Sequence, residues 1–395
     1  MVTYKTASEI LGNPDYQAFS FGGYRGKSRD SVPSASDLKE GLKVLDAMGI
    51  KVLRTYNTQQ YAHAANLLQA IHEMQEENSD FEMYVMLGVW IDCEGAWTDY
   101  RNHEIGDDIN NQAEIDAAVY LAKKYPNIVK VIAVGNEAMV QWAESYYVNP
   151  RVVLKWVNHL QELKVSGELS KDVWITSSDN FASWGGGDPA YHKEELTEVM
   201  KAVDYVSLHT YPYHDTHYNP NYWVVQSNDS LSELERVEAS MDRARDYAIS
   251  QYQSAKNYMD SLGISKPIHI GETGWSSLTN DLYGDDGSRA SDEYKQKLYY
   301  DKMREWTNTK GISCFFFEIF DEQWKDSNNP LGSENHFGLI NLKGQAKYAL
   351  WDLVDQGVFE GINRNGYSIT KTFNGDKEIL MKTVLPPREL ESINY

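Results

Sequence analysis

The chain has 395 residues, 42% of them hydrophobic, and a formal net charge of −21 from 58 acidic and 37 basic residues. That excess excludes a nucleic-acid partner, since neutralising phosphates takes clustered Lys and Arg, and it disfavours polyanionic substrates while leaving a neutral polymer unrepelled. No apolar run approaches the roughly 20 residues of a membrane span, and the length lies within the range of a (β/α)8 barrel with insertions.

Eight β-prone runs recur along the chain, most followed by a helical pattern. Residues 18–24 read as the first strand and 36–48 as its helix, with Ser36 as N-cap. Strand and helix then alternate at 51–56 and 59–77, 82–90 and 110–125, 129–136 and 150–163, 173–177 and 192–202, 203–211 and 230–262, 267–272 and 291–307, and 312–319 and 345–356. Regular alternation implies a parallel sheet. Eight repeats fit a closed (β/α)8 TIM barrel better than an open doubly wound sheet, and no Gly-x-Gly-x-x-Gly follows the first strand. The expected division is a catalytic barrel over 1–360 and an extension over 361–395, too short for a core of its own. Within the extension, Asn374-Gly375 between strand-like arms predicts a β-hairpin. Cys93 and Cys314 sit in or beside apolar runs and read as buried free thiols.

Two strings place a glutamate just after an apolar, β-prone run: Val134-Gly135-Asn136-Glu137 and Ile270-Gly271-Glu272-Thr273-Gly274-Trp275. A carboxylate at the end of a buried strand must be paired, hydrated or used. The C-terminal ends of barrel strands are where catalytic side chains sit, and two carboxyls facing each other across one mouth match the acid and nucleophile of a glycosidase. The 27 Tyr and 11 Trp serve either a large core or sugar-stacking platforms. His209, His214, Asp215 and His217 match no metal template, and Asp281, Asp285, Asp286 and Asp292 lack the EF-hand spacing. No metal or cofactor is expected.

Six segments in order resemble glycoside hydrolase family 17, the β-1,3-glucanase family of the retaining barrel clan, in its bacterial laminarinase-like form. They are Arg54-Thr55-Tyr56, Gly135-Asn136-Glu137, Tyr211-Pro212-Tyr213, Gly271-Glu272-Thr273-Gly274-Trp275, Phe320-Asp321-Glu322-Gln323-Trp324-Lys325 and Glu334-Asn335-His336-Phe337-Gly338-Leu339. The resemblance covers residues 19–353 and departs at Ser276, where the family often has Pro. It implies Glu137 as general acid and then base, and Glu272 as nucleophile, kept ionised by donors such as Tyr211. It also implies Tyr56 in the cleft and Asn136 on the sugar's 2-hydroxyl. Strict alternation points Asn136 and Glu137 to opposite sides, so that last role requires a bulge or the end of the strand. Glu322, Lys325 and Glu334 are expected to form a charge network behind the glutamates. Trp275 and Trp324, with Tyr213 and Trp184, are the candidates for stacking an acceptor sugar.

The implied activity is retaining, endo-acting cleavage of β-1,3-glucosidic linkages in a β-glucan such as laminarin, through a covalent glycosyl-enzyme. A β-1,3-glucanosyltransferase with the same chemistry is the alternative, and a non-catalytic glucan-binding protein a further one. The expected partner is the neutral polysaccharide alone, bound by a monomer that is secreted, periplasmic or on the cell surface. The start at Met1 reads as that of a mature form whose leader has been removed.

Overall fold

Each β-prone run pairs with the runs before and after it. In a computed structural model of the chain, which describes residues 4–225 and 230–389, the strands are β1 (Gln17–Ser20), β2 (Ile50–Arg54), β3 (Tyr84–Val89), β4 (Val129–Asn136), β5 (Trp174–Asn180), β6 (Val206–His209), β7 (Ile268–Gly274) and β8 (Cys314–Phe317). All neighbours are parallel, and β8 returns to β1 to close the barrel. The crossovers are α1 (Ala35–Ala47), α2 (His63–Glu77), α3 (Asp108–Lys124), α4 (Pro150–Ser166), α5 (Glu194–Ala202), α6 (Glu233–Ser261) and α7 (Glu293–Lys310), and α8 (Trp351–Asp355) follows β8. This is the expected (β/α)8 TIM barrel. No described helix is long and apolar enough to cross a membrane, and both cysteines are buried and free.

Period-two alternation divides the strand residues between two cores. Phe19, Leu53, Val85, Leu87, Ile132, Ile175, Leu208, Ile270 and Phe316 pack outward with the helices. Ala18, Val52, Tyr84, Met86, Val131, Ala133, Tyr205 and Phe315 fill the lower interior, where Ile10 and Leu11 of the N-terminal segment join them. One layer higher the interior residues are small or absent. Ser178 and Ser207 share a 2.8 Å hydrogen bond, and a Cβ on Gly271 would lie 2.0 Å from Ser207 Oγ. A Cβ on Gly88 would lie 2.2 Å from the carbonyl oxygen of Thr55. The space these residues leave is where the polar groups of the mouth converge.

Four local expectations change. The cap of α1 is Ser34, two residues before Ser36: it accepts from Asp37 N at 3.2 Å while Asp37 accepts from Ser34 N at 3.0 Å, a reciprocal capping box. Helix α2 begins at His63 because the backbone N–H groups of Thr58, Gln59 and Gln60 are taken by the buried Glu114 carboxylate at 2.7, 2.9 and 3.1 Å. The segment 345–356 is helical only over its last part, since Gln345–Ala346 pairs with Thr370–Lys371 and Lys347 is drawn into a buried pair with Asp321. The hairpin lies earlier than expected, with Asn363–Arg364 against Tyr367–Ser368 around Asn365-Gly366, while 372–375 forms a 3-10 turn and Lys377–Met381 a short helix. The first three and last six residues of the expected barrel and extension lie outside the described residues.

Gly88→Ala should lower stability by about 1–3 kcal/mol, because the added methyl meets backbone that cannot rotate away. An unchanged denaturation midpoint would show that β2 and β3 separate there without cost.

Candidate active site

Both glutamates of the motifs reach the mouth because their strands are irregular. In β4 the pairing register with β5 shifts between Ala133 and Asn136. Gly135 has φ +86° and Glu137 φ +49°, and a Cβ on Gly135 would come within 2.8 Å of Ala138 Cβ. The bulge turns Asn136 and Glu137 toward the same cleft, against the alternation of a regular strand. In β7, Ile270 pairs with Leu208 but Glu272 pairs with His209, so one extra residue is inserted. Ile270 packs outward, and the insertion swings Glu272 inward.

Glu272 is met by three donors. Arg54 Nη1 lies 2.6 Å from Oε2, the Tyr56 hydroxyl 2.9 Å from the same oxygen, and the Tyr211 hydroxyl 2.6 Å from Oε1. Burial by itself would push this carboxyl up. His209, Arg54 and the hydroxyls of Tyr211 and Tyr56 outweigh burial and hold it below the ordinary carboxylate range. The permanent charge among them is Arg54, since burial pushes the His209 pKa down to about 4 and leaves the ring neutral near pH 7.

Glu137 stands in the opposite condition. Burial first, and then the Glu272 charge, push its carboxyl up to about 8, so it holds a proton at neutral pH. Its Oε1 lies 3.1 Å from His209 Nδ1. The tautomer of His209 follows from its other nitrogen: Nε2 lies 2.7 Å from Ser178 Oγ and 3.2 Å from Arg54 Nη1. A guanidinium can only donate, so Nε2 accepts and Nδ1–H donates to Glu137.

Arg54, 1% exposed, ties these groups together. Besides Glu272 and His209 it donates to the carbonyl of Gly271 at 2.8 Å and to Asn136 Oδ1 at 2.6 Å. Because the Asn136 oxygen is occupied, its amide N–H groups are left to face a ligand. A half-buried acid and a buried carboxylate in one cleft are the two components of glycosidic cleavage by double displacement.

The remaining expected residues divide. Tyr56, Asn136 and Tyr211 join the two glutamates. Lys325 pairs with Glu318 and lies 3.8 Å above the Phe317 ring. It does not pair with Glu322, whose oxygens accept from Tyr24 N at 3.1 Å and Trp324 Nε1 at 2.6 Å. The expected network of Glu322, Lys325 and Glu334 is therefore replaced by two separate pairings, because the turn after β8 puts Glu318, not Glu322, within reach of Lys325. Glu334 is exposed. Trp324 is half-buried under the Arg29 guanidinium, 4.5 Å from its ring. Trp275 does not reach the cleft: it is fully buried, donates to Ala290 O at 2.8 Å and packs on Tyr213, Trp223 and Tyr299. Trp184 and Tyr213 are likewise core residues.

Three residues were missed as site residues. Arg54 carried a signal, a cation closing an apolar run, but stood only as the neighbour of Tyr56. His209 falls in the expected strand 203–211 but stands in sequence only among the His and Asp residues that match no metal template; it ends β6 and is fully buried. Asp179 carries in sequence only the signal of a polar strand end, Ser177-Ser178-Asp179-Asn180; it accepts from Met139 N at 2.7 Å and so fixes the chain just after Glu137. Among the described residues, no group of three or more His, Cys, Asp or Glu side chains gathers as metal ligands would.

Comparison with known proteins places this geometry. A family model described as the BtgE/BtgC glycoside hydrolase domain matches residues 18–338. A crystal structure of an endo-laminarinase from Formosa Hel1_33_131 is 59% identical, with a TM-score of 0.96 over 99% of this chain and 100% of that one. A glucan 1,3-beta-glucosidase of Schizosaccharomyces pombe is 25% identical over 76% of each chain. Another protein so named, from Arthroderma benhamiae, is 23% identical over 79% of this chain and 83% of its own.

In a side-chain NMR titration of the native protein, one glutamate should titrate near pH 8 and vanish from the spectrum in Glu137→Gln, while Tyr211→Phe raises the pKa of Glu272. Titration of the resonance lost in Glu137→Gln within the ordinary carboxylate range would contradict the raised pKa of Glu137.

Proposed function

We propose that this chain, which belongs to the BtgE/BtgC glycoside hydrolase domain family, cleaves internal β-1,3-glucosidic linkages of a β-glucan such as laminarin with retention of configuration. The observation that carries this is the pair of glutamates at one barrel mouth in contrasting surroundings, Glu272 met by the Arg54 guanidinium and two tyrosine hydroxyls and Glu137 by the His209 imidazole. The 59% identity to an endo-laminarinase supports the substrate class and the endo mode. The six motif segments support placement in glycoside hydrolase family 17. A polymer too large to cross a membrane supports a secreted or cell-surface site of action.

In the first step the ionised Glu272 attacks the anomeric carbon, the glycosidic C–O bond breaks, and the proton of Glu137 goes to the departing oxygen. The glycosyl ester has no charge on Glu272. The repulsion that kept Glu137 protonated is then gone, and Glu137 can take a proton from water as that water attacks the ester. Tyr211, Tyr56 and Arg54 aim the nucleophile, and the free amide of Asn136 donates to the 2-hydroxyl of the reacting sugar. His209 holds the acid by the carboxyl oxygen that does not carry the proton.

The test is a proton NMR time course on an unbranched β-1,3-gluco-oligosaccharide. Shorter products should appear first as the β-anomer. First appearance of the α-anomer would remove Glu272 as nucleophile, and products longer than the substrate would make transfer the main reaction. Glu137→Gln should lower kcat on this substrate about 10²–10⁴-fold, and activity near the parent level would overturn the acid assignment.

A further inference from the structure

With Trp275, Trp184 and Tyr213 in the core, the aromatic residues that meet a departing or accepting sugar must lie elsewhere. A different set stands at the rim beside Glu137. The chain after β3 folds into a small two-stranded ribbon, Cys93–Glu94 against Asn102–Gly106, whose tip carries Trp97. This tryptophan is 62% exposed and has φ +66°, a conformation bulky residues seldom adopt and one that concentrates at functional sites. Its backbone is fixed by a 2.8 Å hydrogen bond from Trp97 N to Ser145 O. Its ring stacks on Tyr146 at 5.3 Å and 24°, and Tyr146 in turn lies 4.8 Å from Trp90. Trp90 Nε1 donates to Asp92 at 2.7 Å.

Burial would be the ordinary fate of an indole. Here one face is seated on a ring and a strained backbone holds the remainder out in water. The position is equally defined: the Tyr146 hydroxyl lies 3.4 Å from the carbonyl of Asn136, the residue before the acid. The stack thus continues the cleft from the Glu137 strand and the one before it. Trp324, with Tyr24 and Arg29, borders the opposite side, against β8 and β1.

We propose that Trp97, seated on Tyr146, is the platform for the glucosyl unit on the leaving-group side of the scissile bond. The C–H face of that sugar lies on the electron-rich face of the indole. The inference rests on Glu137 being the acid, because the departing oxygen and the sugar beyond it lie past that carboxyl. The same platform would receive an acceptor sugar during transfer, so it sets how often the covalent intermediate is intercepted by sugar instead of water.

The test compares two substrates in the full chain. One is an unbranched β-1,3-glucopentaose; the other is a β-1,3-gluco-oligosaccharyl fluoride, whose departing fluoride makes no use of the leaving side. Trp97→Ala should lower kcat/KM on the pentaose by about tenfold or more, the size of a lost aromatic anchor. It should change turnover of the fluoride less than about twofold and reduce its transfer products to added pentaose. Trp97→Phe, which keeps a ring at the site, should recover most of the loss. Equal losses on both substrates would place Trp97 on the other side of the bond or in a structural role, and no loss on either would leave it outside the cleft; each overturns the proposal. Parent protein inert toward both substrates would instead overturn the glucan reading, and this inference with it.

Discussion

A guanidinium buried in the mouth of the barrel organises the site. Taking Arg54 out of water is costly unless its charge is matched and its N–H groups are used. The solution here is close pairing with Glu272 together with acceptors on Gly271, Asn136 and His209. Those four residues come from three other strands, so one side chain of β2 sets the relative position of β4, β6 and β7 at the cleft. The requirement propagates downward as well. Space for the head group exists because Ser178, Ser207, Gly88 and Gly271 are small, and the last two would collide with neighbours if they carried even a Cβ.

The same interaction separates two chemically identical carboxyls. Glu272 has a permanent cation and two phenol hydroxyls. Glu137 is comparably shielded from water but has the Glu272 charge beside it and a neutral imidazole as partner. Environment, not residue type, makes one an anion and the other an acid at neutral pH. The neutrality of His209 matters here, because a charged imidazolium at that position would favour ionisation of Glu137 and spoil the asymmetry.

Away from the two glutamates, buried carboxylates act as clasps. Glu114 gathers three backbone N–H groups of the turn before α2 and also the N–H of Trp90. Asp179 holds the chain after Glu137, Glu322 holds Tyr24, and Asp321 holds Lys347. Part of the acidity that dominates the composition is thus spent inside, on turns at the strand ends, where an unmet N–H would otherwise be expensive. One of these turns carries Trp90, which packs on Tyr146 beneath Trp97, so a polar contact fixes the base of that stack.

The eight-fold alternation, the parallel closed barrel and the two strand-end glutamates were legible in the sequence, because each rests on local information: a period of two, a period of 3.6, and a carboxylate placed where packing cannot want it. Tyr56, Tyr211 and Asn136 were legible by resemblance. Tertiary structure decided the rest. Strict alternation sends Glu272 outward with Ile270 and separates Asn136 from Glu137; only the extra residues inserted into β7 and β4, visible as register shifts against β6 and β5, turn all three into one cleft. Trp275 sits beside the nucleophile in sequence yet faces the core, whereas Trp97, far from any motif, stands exposed on the ribbon after β3. Lys325 chose Glu318 over the nearer Glu322 because the turn after β8, not spacing along the chain, sets which carboxylate it meets. Sequence determines which residues a strand presents, whereas bulges and long-range pairing determine which way they point.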